Sequence, residues 1–263
     1  MYRPKILTFD IETAPNVGHF WQMWQTNIGL NQQLEHGWII SFVAKWLGED
    51  EVIFMENYDG DDPDLVANLA ELISQADIVV GHNVGRFDLN WLRTECARLG
   101  VKPFPPVKIV DTLKVAKKYF RLVSNTLEYC LKFFGLPQKS KHKKFAGHDL
   151  WMQAVEHNNP EARAEMLEYN IQDVVSNEEL YLYLLPFIGD HPNIGVYVES
   201  EVPVCPGCGE SEPLSKRGFS YTNLSKFQRY VCDTDKDGCG RWSRGRINLI
   251  SKDVRKGLLA NIV

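Results

Sequence analysis

Apolar positions along the first half of the chain fall into short runs and helical stripes, and their alternation predicts an ordered series of elements. Residues 5–13 carry Ile6, Leu7, Phe9 and Ile11 and read as a strand. Residues 38–47 and 51–56 read as two more strands, joined at hairpin distance by Gly48, Glu49 and Asp50. Pro63–Gln75 has helical spacing, with Leu65, Leu69, Leu72 and Ile73 on one face. Residues 77–80 form a short apolar strand ending at Gly81. Asp88–Leu99 turns Leu89, Leu92, Cys96 and Leu99 to one side and is closed by Gly100. Residues 107–110 make a fifth strand. From Asp111 to Leu185 the spacing is mostly helical; Asn159-Pro160 starts a helix that Pro186 ends.

Three strands, then helix, strand, helix, strand and further helices is an α/β order with a mixed sheet flanked by helices. It fits a ribonuclease H-like fold, and other α/β folds share it. Residues 14–37 are an insertion between the first two strands, holding Phe20, Trp21 and Trp24. After Asp190-His191-Pro192 the composition changes, and residues 202–246 alternate short apolar stretches with turn residues. A boundary near Glu199 divides the chain into domains 1–198 and 199–263.

Carboxylates stand out against this pattern. Asp10 and Glu12 are two apart in a strand, so both point to one face while Leu7, Phe9 and Ile11 point to the other. An edge strand with a solvated face accommodates such a pair; a central strand does not, unless cations accompany it. Asp88 reads as an N-cap, and also stands where α/β proteins build sites, at a helix start beyond a strand's end. Tyr169 and Asp173 are four apart on one helix face.

Together, the segments ILTFDIET, GHNVGRFDLNWL and YNIQDVV resemble, in order, the three exonuclease motifs of the DnaQ-like (DEDD) superfamily. They are most similar to those of the proofreading domains of family-B DNA polymerases and their stand-alone relatives. The likeness spans residues 5–186. Tyr169 four residues before Asp173, with Glu168 where another branch has His, resembles the tyrosine branch (DEDDy). The resemblance implies a 3′→5′ exonuclease releasing nucleoside 5′-monophosphates. Asp10, Glu12, Asp88 and Asp173 would hold two Mg²⁺ or Mn²⁺ ions, and Tyr169 would orient the attacking water. Asn83 and Phe87 would contact the terminal nucleotide, although Phe87 reads equally as core packing. His82 is taken as structural. Lys139, Lys141, Lys143 and Lys144, with His142, form a basic loop that either follows the substrate backbone, Lys141 and Lys143 foremost, or is a solvated surface. Lys114, Lys117, Lys118 and Arg121 on one helix face would extend that path.

Four of the six cysteines, Cys205, Cys208, Cys232 and Cys239, fall within 35 residues, spaced C-x2-C and C-x6-C. No secretion signal is evident, so the cluster points to metal rather than disulfides. A structural Zn²⁺ on four thiolates is the natural reading, and the segment resembles a zinc ribbon. Charge separates the same region. From Cys205 onward 11 Lys and Arg face 6 Asp and Glu, a balance of +5, while the rest holds 18 against 28, or −10. Lys216, Arg217, Lys226, Arg229, Arg241, Arg244 and Arg246, interleaved with aromatics, suit a nucleic-acid surface. A replication or repair protein is the other partner weighed for it.

Hydrophobic residues at 44% and charged at 24% exclude a disordered chain. No run is long and apolar enough for a membrane span or signal peptide, which points to a soluble, cytoplasmic protein. The expected activity is hydrolysis at DNA 3′ ends, single-stranded by preference. The alternatives are an exoribonuclease and a catalytically silent nucleic-acid-binding adaptor.

Overall fold

The eight residues of β1 (Ile6–Thr13) run through the middle of a five-stranded sheet, and their alternation sets the character of its two faces. The structure, a computed structural model, describes residues 3–22, 24, 27–137, 144–260 and 262. After β1 the chain makes a small ribbon of β2 (Val17–Gly18) and β3 (Gln33–Glu35), then enters β4 (Ile39–Trp46) and β5 (Val52–Glu56). Helix α1 (Pro63–Gln75) leads to β6 (Ile78–Gly81), α2 (Asp88–Leu99) and β7 (Lys108–Asp111). Helices α3 (Thr112–Tyr119), α4 (Leu127–Phe134), α5 (His148–Trp151) and α6 (Pro160–Leu184) follow.

The sheet order is β5-β4-β1-β6-β7. β1 pairs antiparallel with β4 and parallel with β6, so the sheet is mixed and flanked by helices, as the pattern of elements predicts. β1 is therefore central, and the solvated-edge reading of Asp10 and Glu12 is wrong. Local chemistry accounts for the element ends. Asp62 caps α1 by accepting from the Asp64 N–H at 2.8 Å, with Pro63 at the first helical position. Gly100, at φ 68°, closes α2 in the left-handed conformation that suits glycine.

One face of β1 builds the hydrocarbon core. Leu7, Phe9 and Ile11 pack in one cluster with Leu65, Leu69 and Ile73 of α1 and Leu89 and Leu92 of α2. Each such side chain, fully buried, contributes about 1.5–3 kcal/mol. The other face carries Thr8, Asp10 and Glu12. There Lys45, opposite Thr8 on β4, pairs with Glu178 of α6 at 2.6 Å, with side chains only 11% and 13% exposed. Breaking this largely buried pair by removing one partner costs about 3–5 kcal/mol, so it fixes α6 against the carboxylate-bearing face.

The chain divides into two compact units, Lys5–Tyr181 and Leu182–Val263 with Met1–Pro4. The second unit contains α7 (Gly195–Val198), α8 (Lys252–Lys256) and three antiparallel strands, β8 (Leu214–Thr222), β9 (Ser225–Cys232) and β10 (Trp242–Arg244), in the order β10-β9-β8. Arg241, buried just before β10, donates from Nη1 to the Leu185 carbonyl at 3.1 Å. Glu199 lies inside this unit, at φ 51°. Among the described residues no helix is long and apolar enough to cross a membrane.

Candidate active site and cysteine cluster

Asp10 and Glu12 from β1 and Asp173 from α6 converge, each offering a carboxylate oxygen within 4.8 Å of the others. Three like charges this close repel unless protons or cations lie among them. Tyr169 stands one helical turn before Asp173. Its phenol is raised above the ordinary value of 10.0, first by burial and then by the charges of Glu12 and Asp10. The tyrosine thus keeps its proton at neutral pH.

Asp88 joins them differently. It is the first residue of α2, but Phe87 holds the cap position and no side chain caps that end, so the N-cap reading is corrected. β6 stops at Gly81, and beyond it Asp88 Oδ1 accepts the Ile11 N–H at 3.2 Å, on the β1 residue between Asp10 and Glu12. The Asp88 carboxyl is 2% exposed and titrates well above the usual carboxylate range, first because of burial and second because of Asp10. It lies outside the group of three that meet within 4.8 Å and abuts Asp10 electrostatically.

The loop between Gly81 and Asp88 is held by residues that sequence reasoning missed. Asn83 sits at φ 73° and donates its N–H to Asp111 Oδ1 at 3.1 Å. Asp111 also caps α3, accepting from the Lys114 N–H at 3.2 Å, with the Lys114 ammonium 3.7 Å from its other oxygen. The Thr112 hydroxyl bonds Asn177 Oδ1 at 2.7 Å, one turn beyond Asp173 on α6, with the Gly81 carbonyl at 3.3 Å. His82 bridges Thr112 Oγ1 and the Asn125 carbonyl, each at 2.9 Å, a structural role. The start of α3 thereby locks the second motif's loop to the third motif's helix. The sequence signal was an Asp-Thr pair directly after an apolar strand, a helix-start signature.

Phe87 is 39% exposed and meets Trp91 edge-on at 6.4 Å, so the core-packing reading does not hold. Lys139, Lys141 and Lys143 lie outside the described residues. Lys114, Lys117 and Lys118 are on α3, but that helix ends at Tyr119, and Arg121 is not on its face as expected.

In the second unit the sulfurs of Cys205, Cys208, Cys232 and Cys239 all lie within 4.8 Å of one another. Cys205 and Cys239 are 3.6 Å apart, as are Cys208 and Cys232. Backbone N–H groups of Gly207 and Cys239 donate to the sulfurs of Cys205 and Cys232 at 3.4 and 3.3 Å. Hydrogen bonds from Cys208 and then Cys239 pull Cys205 down to about 2, while burial pushes Cys232 up to about 12. Four converging sulfurs, one of them already favoured as thiolate, fit a small zinc-binding region. Cys96 and Cys130 are buried elsewhere, and burial raises both thiols. On the neighbouring sheet Arg229 lies over Trp242 at 4.9 Å and Arg244 over Phe227 at 4.3 Å.

A mixed sheet with carboxylates on its central strand, flanked by helices, is a ribonuclease H-like α/β architecture. The chain belongs to the RNase H superfamily, whose profile it matches over residues 27–185. That span takes in Asn83, Asp88, Tyr169 and Asp173 and begins after Asp10 and Glu12. Among solved structures the chain is similar to the family B DNA polymerase from the hyperthermophilic archaeon Pyrobaculum calidifontis, with a TM-score of 0.54 and 20% identity. The likeness, one of fold, covers 70% of this chain and 25% of the polymerase, so the chain spans about a quarter of that protein. No curated protein matches the chain.

Proposed function

We propose that this protein is a metal-dependent 3′→5′ exonuclease of the tyrosine branch, releasing nucleoside 5′-monophosphates from DNA 3′ ends. The observation that carries the reading is the meeting of Asp10, Glu12 and Asp173, with Asp88 against Asp10 and the Tyr169 phenol in the field of the first two. The donor set is oxygen alone, which Mg²⁺ and Mn²⁺ prefer, and clustered anions call for cations. Asp10, Glu12, Asp88 and Asp173 would hold the ions. Two bound divalent ions supply Lewis-acid stabilisation of the phosphate and lower the pKa of the attacking water.

The chain's own groups do the rest. Tyr169, held protonated, orients the water by hydrogen bonding rather than removing its proton. Asn83 and Phe87, on the loop that Asp111 fixes, receive the terminal nucleotide. Phe87 offers a partly exposed ring for a base to stack on. Residues 1–198 carry the nuclease function. Residues 199–263 form a zinc ribbon whose basic and aromatic residues contact nucleic acid. End-labelled DNA and RNA oligonucleotides of one sequence, incubated with Mg²⁺ or Mn²⁺, test the proposal. The wild type is expected to shorten the DNA stepwise from the 3′ end, and Asp10→Ala to leave it intact. Equal activity of a clean Asp10→Ala preparation removes the proposal, and faster shortening of RNA assigns the enzyme to RNA instead.

A further inference from the structure

The insertion between β1 and β4 concentrates exposed aromatic surface in one short segment. Trp21 and Trp24 are 88% and 92% exposed, and Phe20, Ile28, Leu30 and Leu34 are exposed with them. Single exposed apolar residues are ordinary; a concentration of them in one short segment marks an interaction site. Charge narrows the choice of partner. Across residues 14–37 the only formally charged side chain is Glu35, and the segment is rich in Asn and Gln. It is a charge-poor stretch in a region whose overall balance is strongly acidic.

The insertion is rooted at the site. It leaves β1 directly after Glu12 and Thr13, and its foot closes with the Ala14 N–H donating to the Trp38 carbonyl at 2.8 Å. β2 and β3 pair above that foot, and the His19 N–H extends the pairing to the Gln32 carbonyl at 2.8 Å. His36 at the foot meets Trp91 edge-on at 5.5 Å, and Trp91 meets Phe87 at 6.4 Å. Phe87 precedes Asp88. An aromatic series thus runs from the carboxylate centre to the base of the ribbon that carries Trp21 and Trp24.

An uncharged surface of aromatics and amides neutralises no phosphates. It offers stacking faces and hydrogen bonds, which is what unpaired bases take, and every base has a π-face. With Glu35 as its single acid, it also repels a polyanion less than the carboxylate-rich surroundings do. We propose that Trp21 and Trp24 form a stacking platform for the unpaired bases of a single-stranded nucleic acid whose 3′ end lies at Asp10, Glu12 and Asp173. This rests on the nuclease reading and adds a requirement for several unpaired nucleotides. Trp21 is eight residues beyond Thr13, so the chain carries it no more than about 28 Å away. Phe87 serves the terminal base and the platform serves bases upstream of it.

Binding and chemistry are tested separately. Anisotropy of a 5′-fluorescein-labelled twelve-residue oligothymidylate, in EDTA so that no hydrolysis competes, reads binding alone. Trp21→Ala with Trp24→Ala is expected to raise Kd about tenfold or more, and the Phe pair at the same positions to recover most of it. A blunt duplex of the same length is expected to bind the wild type and both variants alike. Both indoles are exposed, so far-UV circular dichroism of the variants should match the wild type. An unchanged Kd for the oligothymidylate overturns the platform and leaves the surface to a protein partner. An equal loss on the duplex overturns the assignment to unpaired bases. Mn²⁺-dependent hydrolysis of thymidine 5′-monophosphate p-nitrophenyl ester, too small to reach the insertion, tests the nuclease reading by itself. No hydrolysis, together with the tryptophan effect, removes that reading and keeps the platform; hydrolysis without the tryptophan effect does the reverse.

Discussion

The carboxylate centre and the cysteine cluster are both groups of side chains that could hold a metal, yet the chain builds them in opposite ways. Asp10, Asp88 and Asp173 come from segments far apart in sequence; one hydrocarbon cluster packs β1 against α2, and a second packs the start of α6 against Ala14 and Ile40. The four cysteines fall within 35 residues, in a unit whose three strands hold mostly half-buried or exposed side chains. Of that sheet, only Cys232 is buried. The first group is held in place by the fold; the second is expected to hold its own fold in place through a bound metal. Hard oxygen donors on a rigid sheet suit ions that come and go with substrate, whereas four thiolates suit one that stays.

This contrast gives its sharpest break with Asp10→Ala. That change is expected to lower Mn²⁺-dependent hydrolysis by roughly 10³-fold or more while leaving the melting temperature of the metal-free protein unchanged or higher, because a like charge is gone. Cys208→Ser should do the opposite. Structural zinc sites supply on the order of 10 kcal/mol to folding, so the variant should lose its zinc by elemental analysis and lose the amide-exchange protection of β8–β10. Its hydrolysis of the small p-nitrophenyl ester should persist. Loss of both properties in either variant would merge the two groups into one functional unit.

Finer effects sharpen the first half of the comparison. Tyr169→Phe removes one hydrogen-bond donor and should lower kcat on the order of 10²-fold with little change in KM. Thr112→Val leaves His82 and Asn177 without their shared partner, which costs about 1–3 kcal/mol. It should slow turnover modestly through misplacement of the second motif's loop, and Thr112→Ser should restore it. The smallest effect concerns pH. Asp88 titrates above its ordinary value in the fold, so its contribution to stability is complete at low pH, below that ordinary value, and is lost as pH rises through the raised one. In EDTA the wild-type melting temperature should therefore decline over that interval; Asp88→Asn should flatten the decline and added Mg²⁺ should offset it. Differential scanning calorimetry across pH checks this.

Much of the first unit was legible because its elements obey simple periods. Pro63–Gln75 and Asp88–Leu99 fall where their apolar stripes and end signals put them. The D-x-E spacing sufficed to set Asp10 and Glu12 on one face, since strand geometry alone fixes that. What stayed hidden depends on partners distant in sequence. Asp88 looked like a cap, and only the end of β6 at Gly81 explains why it turns to Ile11 instead. Asp111 and Thr112 drew no reading beyond the start of a mostly helical stretch, and their hold on Asn83 and Asn177 exists only once the sheet has formed. Arg121 was counted on a helix that ends two residues earlier, at Tyr119.

On the proposed reading, four carboxylates from three separated segments make one divalent-cation centre, chemically distinct from the four cysteines. Anomalous diffraction from crystals soaked in Mn²⁺, with data at the manganese and zinc edges, addresses it directly. Manganese among Asp10, Glu12, Asp88 and Asp173, with zinc confined to Cys205, Cys208, Cys232 and Cys239, is the predicted result. Manganese bound elsewhere, with the four acids left without metal, contradicts the account.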